Sequence, residues 1–173
     1  MSSDFAVKAR RALGMVAIVA LGFALSACQV RPLYSETNGV AGKLSSVSFS
    51  DPASRVGQEV RNRLVFLTGR GAGEPVKAEY NVDLRVSSVA AGVLYVQSSD
   101  TSLAGRVTVT ADYTLRRASD GQVIKAGNRS AISLVDFPVQ EFAKLRAIRD
   151  GENRAAREVA DLVGADIAAA LGR

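Results

Sequence analysis

A single thiol is the most reactive group in this sequence. Cys28 is the only cysteine among 173 residues, and histidine is absent. Without imidazole or a second thiol, the common general bases, activated nucleophiles and metal-ligand sets cannot be assembled. Catalysis would then fall to paired carboxylates or a Ser/Lys couple. Asp83 and Asp112 are acids that adjacent strands would carry; their other reading is as solvated strand residues. Gly69-Arg70-Gly71-Ala72-Gly73 has the glycines of a phosphate loop but follows a helix rather than a strand, so it reads as a connector. No catalytic residue, no metal site and no cofactor is expected.

Basic residues are the other class placed suggestively. Arg106, Arg116, Arg117, Lys125 and Arg129 fall on two neighbouring strands and the turn joining them, with Arg85 on the strand before. A guanidinium binds phosphate through a two-pronged fork, so this set is a candidate site for an anionic lipid head group. Solvated residues that blunt strand edges would look the same.

What precedes Cys28 defines its chemistry. Lys8, Arg10 and Arg11 form a basic stretch, and Leu13 to Leu25 form an apolar one of export-signal length. That run is short of the roughly 20 apolar residues a spanning helix needs. Leu25-Ser26-Ala27-Cys28 resembles the lipobox of bacterial lipoproteins, in which small residues precede a cysteine that is lipidated before cleavage. An ordinary secretory signal with an incidental cysteine and an uncleaved anchor are the alternatives. Residues 1–27 are thus read as a signal peptide, Cys28 as the lipidation site, 28–42 as a lipidated tether and 43–173 as one domain. Cleavage leaves 146 residues, enough for a single core, and no disulfide can form within the monomer. The remaining charge is about +3, too mild to imply nucleic acid.

The elements follow from periodicity. Lys43 to Phe49 reads as a short edge strand. Asp51-Pro52 opens a helix with Ala53, Val56, Val60, Leu64 and Leu67 on one stripe, ended by Gly69. Tyr80, Val82, Leu84 and Val86 alternate with polar residues, as do Val107, Val109, Ala111, Tyr113 and Leu115, so each run is a strand with one buried face. Ala90-Ala91-Gly92 suggests a bulge, Ser98 to Thr101 a turn, and Ser119-Asp120-Gly121-Gln122 a hairpin into a strand Val123 to Val135. A final helix runs from Asp136–Pro138 towards Leu171. Its charged run Arg149 to Arg154 contains Gly151, which predicts a kink there or a protruding end.

The order β-α-β-β-β-α gives an α+β two-layer sandwich, with two helices on one face of a four-stranded mixed sheet. Tyr80, Leu84, Val109, Tyr113 and Leu115 are expected beneath the helices with Val60, Leu64, Val159 and Leu162. The other sheet face is polar and threonine-rich.

Three segments carry a family resemblance. Cys28-Gln29-Val30-Arg31-Pro32-Leu33-Tyr34 resembles the opening of the lipopolysaccharide-assembly lipoprotein LptE of alphaproteobacteria. Val107 to Leu115 is similar to that family's central strand, and Phe142-Ala143 with Arg154 to Ala160 to its last helix. Gln29-Val30 and Asp136-Phe137 depart from the usual pattern. The resemblance implies an outer-membrane lipoprotein on the periplasmic side that plugs the LptD barrel and helps lipopolysaccharide reach the outer leaflet. It also implies lipopolysaccharide binding by basic side chains. An accessory lipid-binding lipoprotein of a transporter and a carboxylate-dependent envelope hydrolase are the competing classes.

Overall fold

Seven elements run along residues 39–96 and 101–172, which are the residues that the computed structural model describes. Cys28, the leader, the tether through Asn38 and the turn residues Ser98 to Asp100 lie outside them. A short helix α1 (Val40–Ser45) is followed by β1 (Val47–Phe49), α2 (Arg55–Gly69), β2 (Tyr80–Val96), β3 (Thr101–Arg117), β4 (Val123–Asp136) and α3 (Glu141–Leu171). The strands form one sheet in the order β1-β2-β3-β4, parallel between β1 and β2 and antiparallel elsewhere. Helices α2 and α3 pack on one face, the α+β arrangement expected from the pattern.

The start of the domain differs from expectation. Val40 to Ser45 form helix where the end of the tether and the start of the first strand were placed, and Val40 and Leu44 are buried in the core. Lys43 Nζ donates to the Leu171 carbonyl at 2.9 Å, a cation at the end of α3 where carbonyls lack helical partners. Only Val47 to Phe49 remain as strand. Its outer edge is blunted by Glu74, whose Oε1 accepts from Phe49 N at 3.1 Å while Arg61 holds the other oxygen at 2.6 Å.

Helix α2 begins later than Asp51-Pro52. Ser54 is extended and its hydroxyl accepts from Gly57 N at 3.0 Å, so the serine caps the helix and Ala53 stays outside it, exposed. At the other end Gly69 is the last helical residue, and Arg70 takes the left-handed turn at φ 51°. Val56, Val60 and Leu64 form the buried stripe.

The core lies between this stripe, β3 and the second half of α3. Val107, Val109, Leu115, Val159, Val163 and Ile167 are fully buried. Complete burial of such a side chain contributes about 1.5–3 kcal/mol. Ala155, Ala156, Ala160 and Ala168 are buried as well, and these small residues let α3 lie close to the sheet. Three expected core residues are not fully buried. Leu84 is half-buried: the β1 ladder stops opposite Val82, and beside Leu84 stands only Ser50, whose hydroxyl accepts from Leu84 N at 2.9 Å and offers no apolar cover. Tyr80, half-buried, stands at the first position of β2, and Leu162 flanks the Val159–Val163–Ile167 stripe at 40% exposure.

Helix α3 is continuous from Glu141 to Leu171, and its buried residues begin at Gly151. In the preceding turns Ile148 is half-buried against the core while Phe142 and Leu145 are exposed, and the helix is unbroken at Gly151, so the kink is not found. Gly151 is there for closeness: a Cβ on it would sit 2.5 Å from Val135 Cγ1 and 3.2 Å from Val107 Cγ2. On the solvent side, α2 and α3 are joined by Arg55–Glu152, Glu59–Arg157 and Arg63–Asp161, with signs that alternate up the pair. The bulge expected near Ala90-Ala91-Gly92 appears as register shifts from Gly92 to Tyr95, and the hairpin turn has Gly121 at φ 69°.

Candidate functional site

Among the described residues, the face of the sheet turned away from the helices has every side chain exposed or half-buried. Its cross-strand rows follow from the register. Asp83 lies beside Thr114 and Ala126, Arg85 beside Asp112 and Asn128, and Ser87 beside Thr110 and Ser130. Two apolar rows come next, Val89 with Thr108 and Ile132, then Ala91 with Arg106 and Leu134. The open face is therefore polar towards the α1 end, apolar over these two rows, and closed at the α3 start by exposed Asp136 beside Ala104.

The five basic candidates do not converge on one point. Arg106 and Arg116 share this face but are ten positions apart on β3, roughly 33 Å. Lys125 pairs in register with buried Leu115, and Arg129 with buried Ala111, so both stand on the helix side at the β4 edge. Arg117, in register with Tyr80, lies at the end of that side. Most are already engaged. Arg116 Nε donates to Asp83 at 3.3 Å, Arg117 to Asp120 at 2.8 Å, and Arg129 grips both oxygens of Asp166 at 2.7 and 2.8 Å. Lys125 lies within electrostatic range of Asp166 and its side chain makes no hydrogen bond among the described residues, and Arg106 has no carboxylate partner there.

Sequence reading missed Asp166. It receives Tyr113 Oη at 2.6 Å as well as Arg129, tying β3, β4 and α3 together. The Arg129 hydrogen bonds hold its carboxyl below the usual range despite partial burial, with help from Tyr113. Burial, then the hydrogen bond to Asp166, keeps the Tyr113 phenol protonated. Only the tertiary fold reveals this clip, since its members are 37 and 53 residues apart. The apolar rows did leave a trace: in Ala131-Ile132-Ser133-Leu134-Val135 the outward positions are aliphatic, which breaks the alternation of polar and apolar faces.

Asp83 and Asp112 each have their own partner, Arg116 for the first and Asn128 Nδ2 at 2.6 Å for the second. They are diagonal rather than opposite in the register, which suits solvated strand residues. Among the described residues no three His, Cys, Asp or Glu side chains gather as a metal site, and no helix is long and apolar enough to cross a membrane.

Known proteins bear on this arrangement. A crystallised Caulobacter crescentus CB15 chain described as a lipoprotein shares the fold with a TM-score of 0.63, at 24% identity over 77% of this chain and 96% of that one. The rare lipoprotein B of Shewanella oneidensis shares it with a TM-score of 0.55, at 14% identity over 72% of this chain and 92% of that one. No curated protein sequence matches the chain. The family model LptE, described as lipopolysaccharide-assembly, matches residues 42–167, from within α1 to the last turns of α3. With nearly the whole described domain inside that match, the chain belongs to the LptE family of lipopolysaccharide-assembly proteins.

Proposed function

We propose that this protein is an outer-membrane lipoprotein that seats in the LptD barrel as a plug and takes part in lipopolysaccharide transport to the outer leaflet. The family match over residues 42–167 carries the reading, and assembly of this kind involves no chemical step on a substrate. In this reading residues 1–27 are removed on export and Cys28 is lipidated. Residues 28–42 then lead from the periplasmic side of the membrane into the domain. A lipoprotein carries two or more acyl chains, enough for stable attachment where one is marginal. The charged helix face and the polar rows of the sheet support a plug, because the interior walls of membrane barrels are polar.

Arg106, Arg116, Arg117, Lys125 and Arg129 are proposed to meet lipopolysaccharide phosphates. Arg106 and Lys125 offer their charge directly. Arg116, Arg117 and Arg129 would exchange Asp83, Asp120 and Asp166 for phosphate oxygens, which are equally good charge-assisted acceptors. The test is a variant with Arg116, Arg117 and Lys125 changed to Ala, assayed separately for LptD capture and lipopolysaccharide binding. Lipopolysaccharide binding is expected to fall and to lose part of its salt dependence while capture persists. Unchanged lipopolysaccharide binding removes the basic residues from the reading. Replacement of Cys28 by Ala is expected to abolish palmitate labelling, and persistent labelling contradicts the assigned anchor.

A further inference from the structure

We propose that the apolar end of the open sheet face seats the acyl chains of an anionic lipid, with Arg106 taking a phosphate of the same molecule. This rests on the lipopolysaccharide reading above and addresses the half of the lipid that basic residues cannot hold. Val89, Ile132 and Leu134 are 64%, 53% and 70% exposed in the two adjacent rows. With strands about 4.8 Å apart, three of them make a flat strip roughly 10 Å wide between outer Cα atoms. From Val86 through Ser99 the sequence has no carboxylate, lysine or arginine, so the β2 side of the strip is uncharged.

Arg106 stands between Ala91 and Leu134 in this setting with no carboxylate partner among the described residues. A solvated strand face seldom presents several large aliphatic side chains together, and such a patch marks a binding surface. A barrel lumen is a poor occupant, because its wall is polar. The rows around Arg85, Asp112 and Asn128 suit that wall and the strip does not. A molecule joining phosphate to hydrocarbon matches both the lone guanidinium and the aliphatic side chains around it.

The experiment uses the full chain purified from membranes, immobilised, and offered lipopolysaccharide or the same molecule stripped of its acyl chains. Wild type is expected to bind the intact form at least about tenfold more tightly, the preference that roughly two buried methylenes supply. The triple variant Val89→Asn, Ile132→Asn, Leu134→Asn is expected to bind both forms at the stripped-form affinity with unchanged thermal melting. Should it melt early, Val89→Ser alone is expected to lose part of the preference. Arg106→Ala is expected to weaken both forms. Equal wild-type affinity for the two forms overturns the acyl seat and leaves the lipopolysaccharide reading standing, as does a preference that survives in the variants. Binding of neither form by wild type overturns that reading and the seat with it. Loss of LptD capture in the triple variant, with lipid preference intact, assigns the strip to protein and overturns the proposal.

Discussion

One methyl group at Gly105 tests how α3 is led off the sheet. Phe137, between β4 and α3, donates its N–H to Leu103 O at 2.8 Å and lays its ring flat across Gly105. A Cβ on Gly105 would lie 2.6 Å from Phe137 Cε2 and closer still to Cζ and Cε1, so the outer edge of the ring has no room beside it. Gly105→Ala therefore has to expel the ring. Phe137 is 7% exposed, and losing that burial costs about 1.5–3 kcal/mol. The Lys144 ammonium 5.1 Å from the ring centroid goes with it, at about 0.5–1 kcal/mol. Replacing glycine within a strand returns about 0.5–1 kcal/mol of backbone entropy. The net expectation is a loss of about 1–3 kcal/mol, read by urea unfolding of an exported form carrying Cys28→Ala, with an unchanged m-value. In a Phe137→Ala background the same change should cost nothing or stabilise slightly. Equal costs in the two backgrounds, or a stable single variant, would refute the packing argument.

Gly151→Ala sets two magnitudes against each other. Helix propensity favours it by about 0.8–1 kcal/mol, but the methyl meets Val135 Cγ1 at 2.5 Å, and overpacking costs about 1–3 kcal/mol. Net destabilisation is expected, relieved by Val135→Ala, whereas stabilisation by about 1 kcal/mol would contradict the close approach of Gly151 to Val135. Asp166→Asn probes the clip through pH. A carboxyl depressed below 3.8 in the folded state adds stability above that pH and loses it as pH falls through its folded value. The gap between wild type and Asp166→Asn, about 1–2 kcal/mol, should stay level from about pH 7 to 5 and shrink in stronger acid; a gap indifferent to acid contradicts the assignment. Leu115→Ala should cost about 2–5 kcal/mol and half-buried Leu84→Ala clearly less, and equal losses on unfolding would place the core edge wrongly.

The fold was legible where one face of an element is wet and the other dry. The alternation from Val107 to Leu115 and the helical stripe Val56–Val60–Leu64 set the sheet face and the helix face without tertiary information. Boundaries were less legible, because caps compete locally. Asp51 and Ser54 are both good N-caps within four residues, and it is the Ser54 hydroxyl that takes the Gly57 N–H. Val40 looked like tether and Leu44 like strand because six residues are too few to show helical periodicity. Gly151 read as the place for a kink because a sequence does not say that a glycine faces a valine on another element. At the candidate site, the arginines were visible but their carboxylates were not. Arg129 and Asp166 meet only after α3 folds back along β4, and the separation of Arg106 from Arg116 follows from the length of β3.

The plug itself is tested most directly by what accompanies the lipidated protein out of the membrane. The full chain, affinity-tagged after Arg173 and extracted in mild detergent, is expected to bring LptD with it in a fixed ratio that survives high salt. Loss of Cys28 should lower the yield at the membrane without changing that ratio. Recovery of the folded, lipidated chain without an outer-membrane barrel, or with an inner-membrane transporter in its place, would contradict the account.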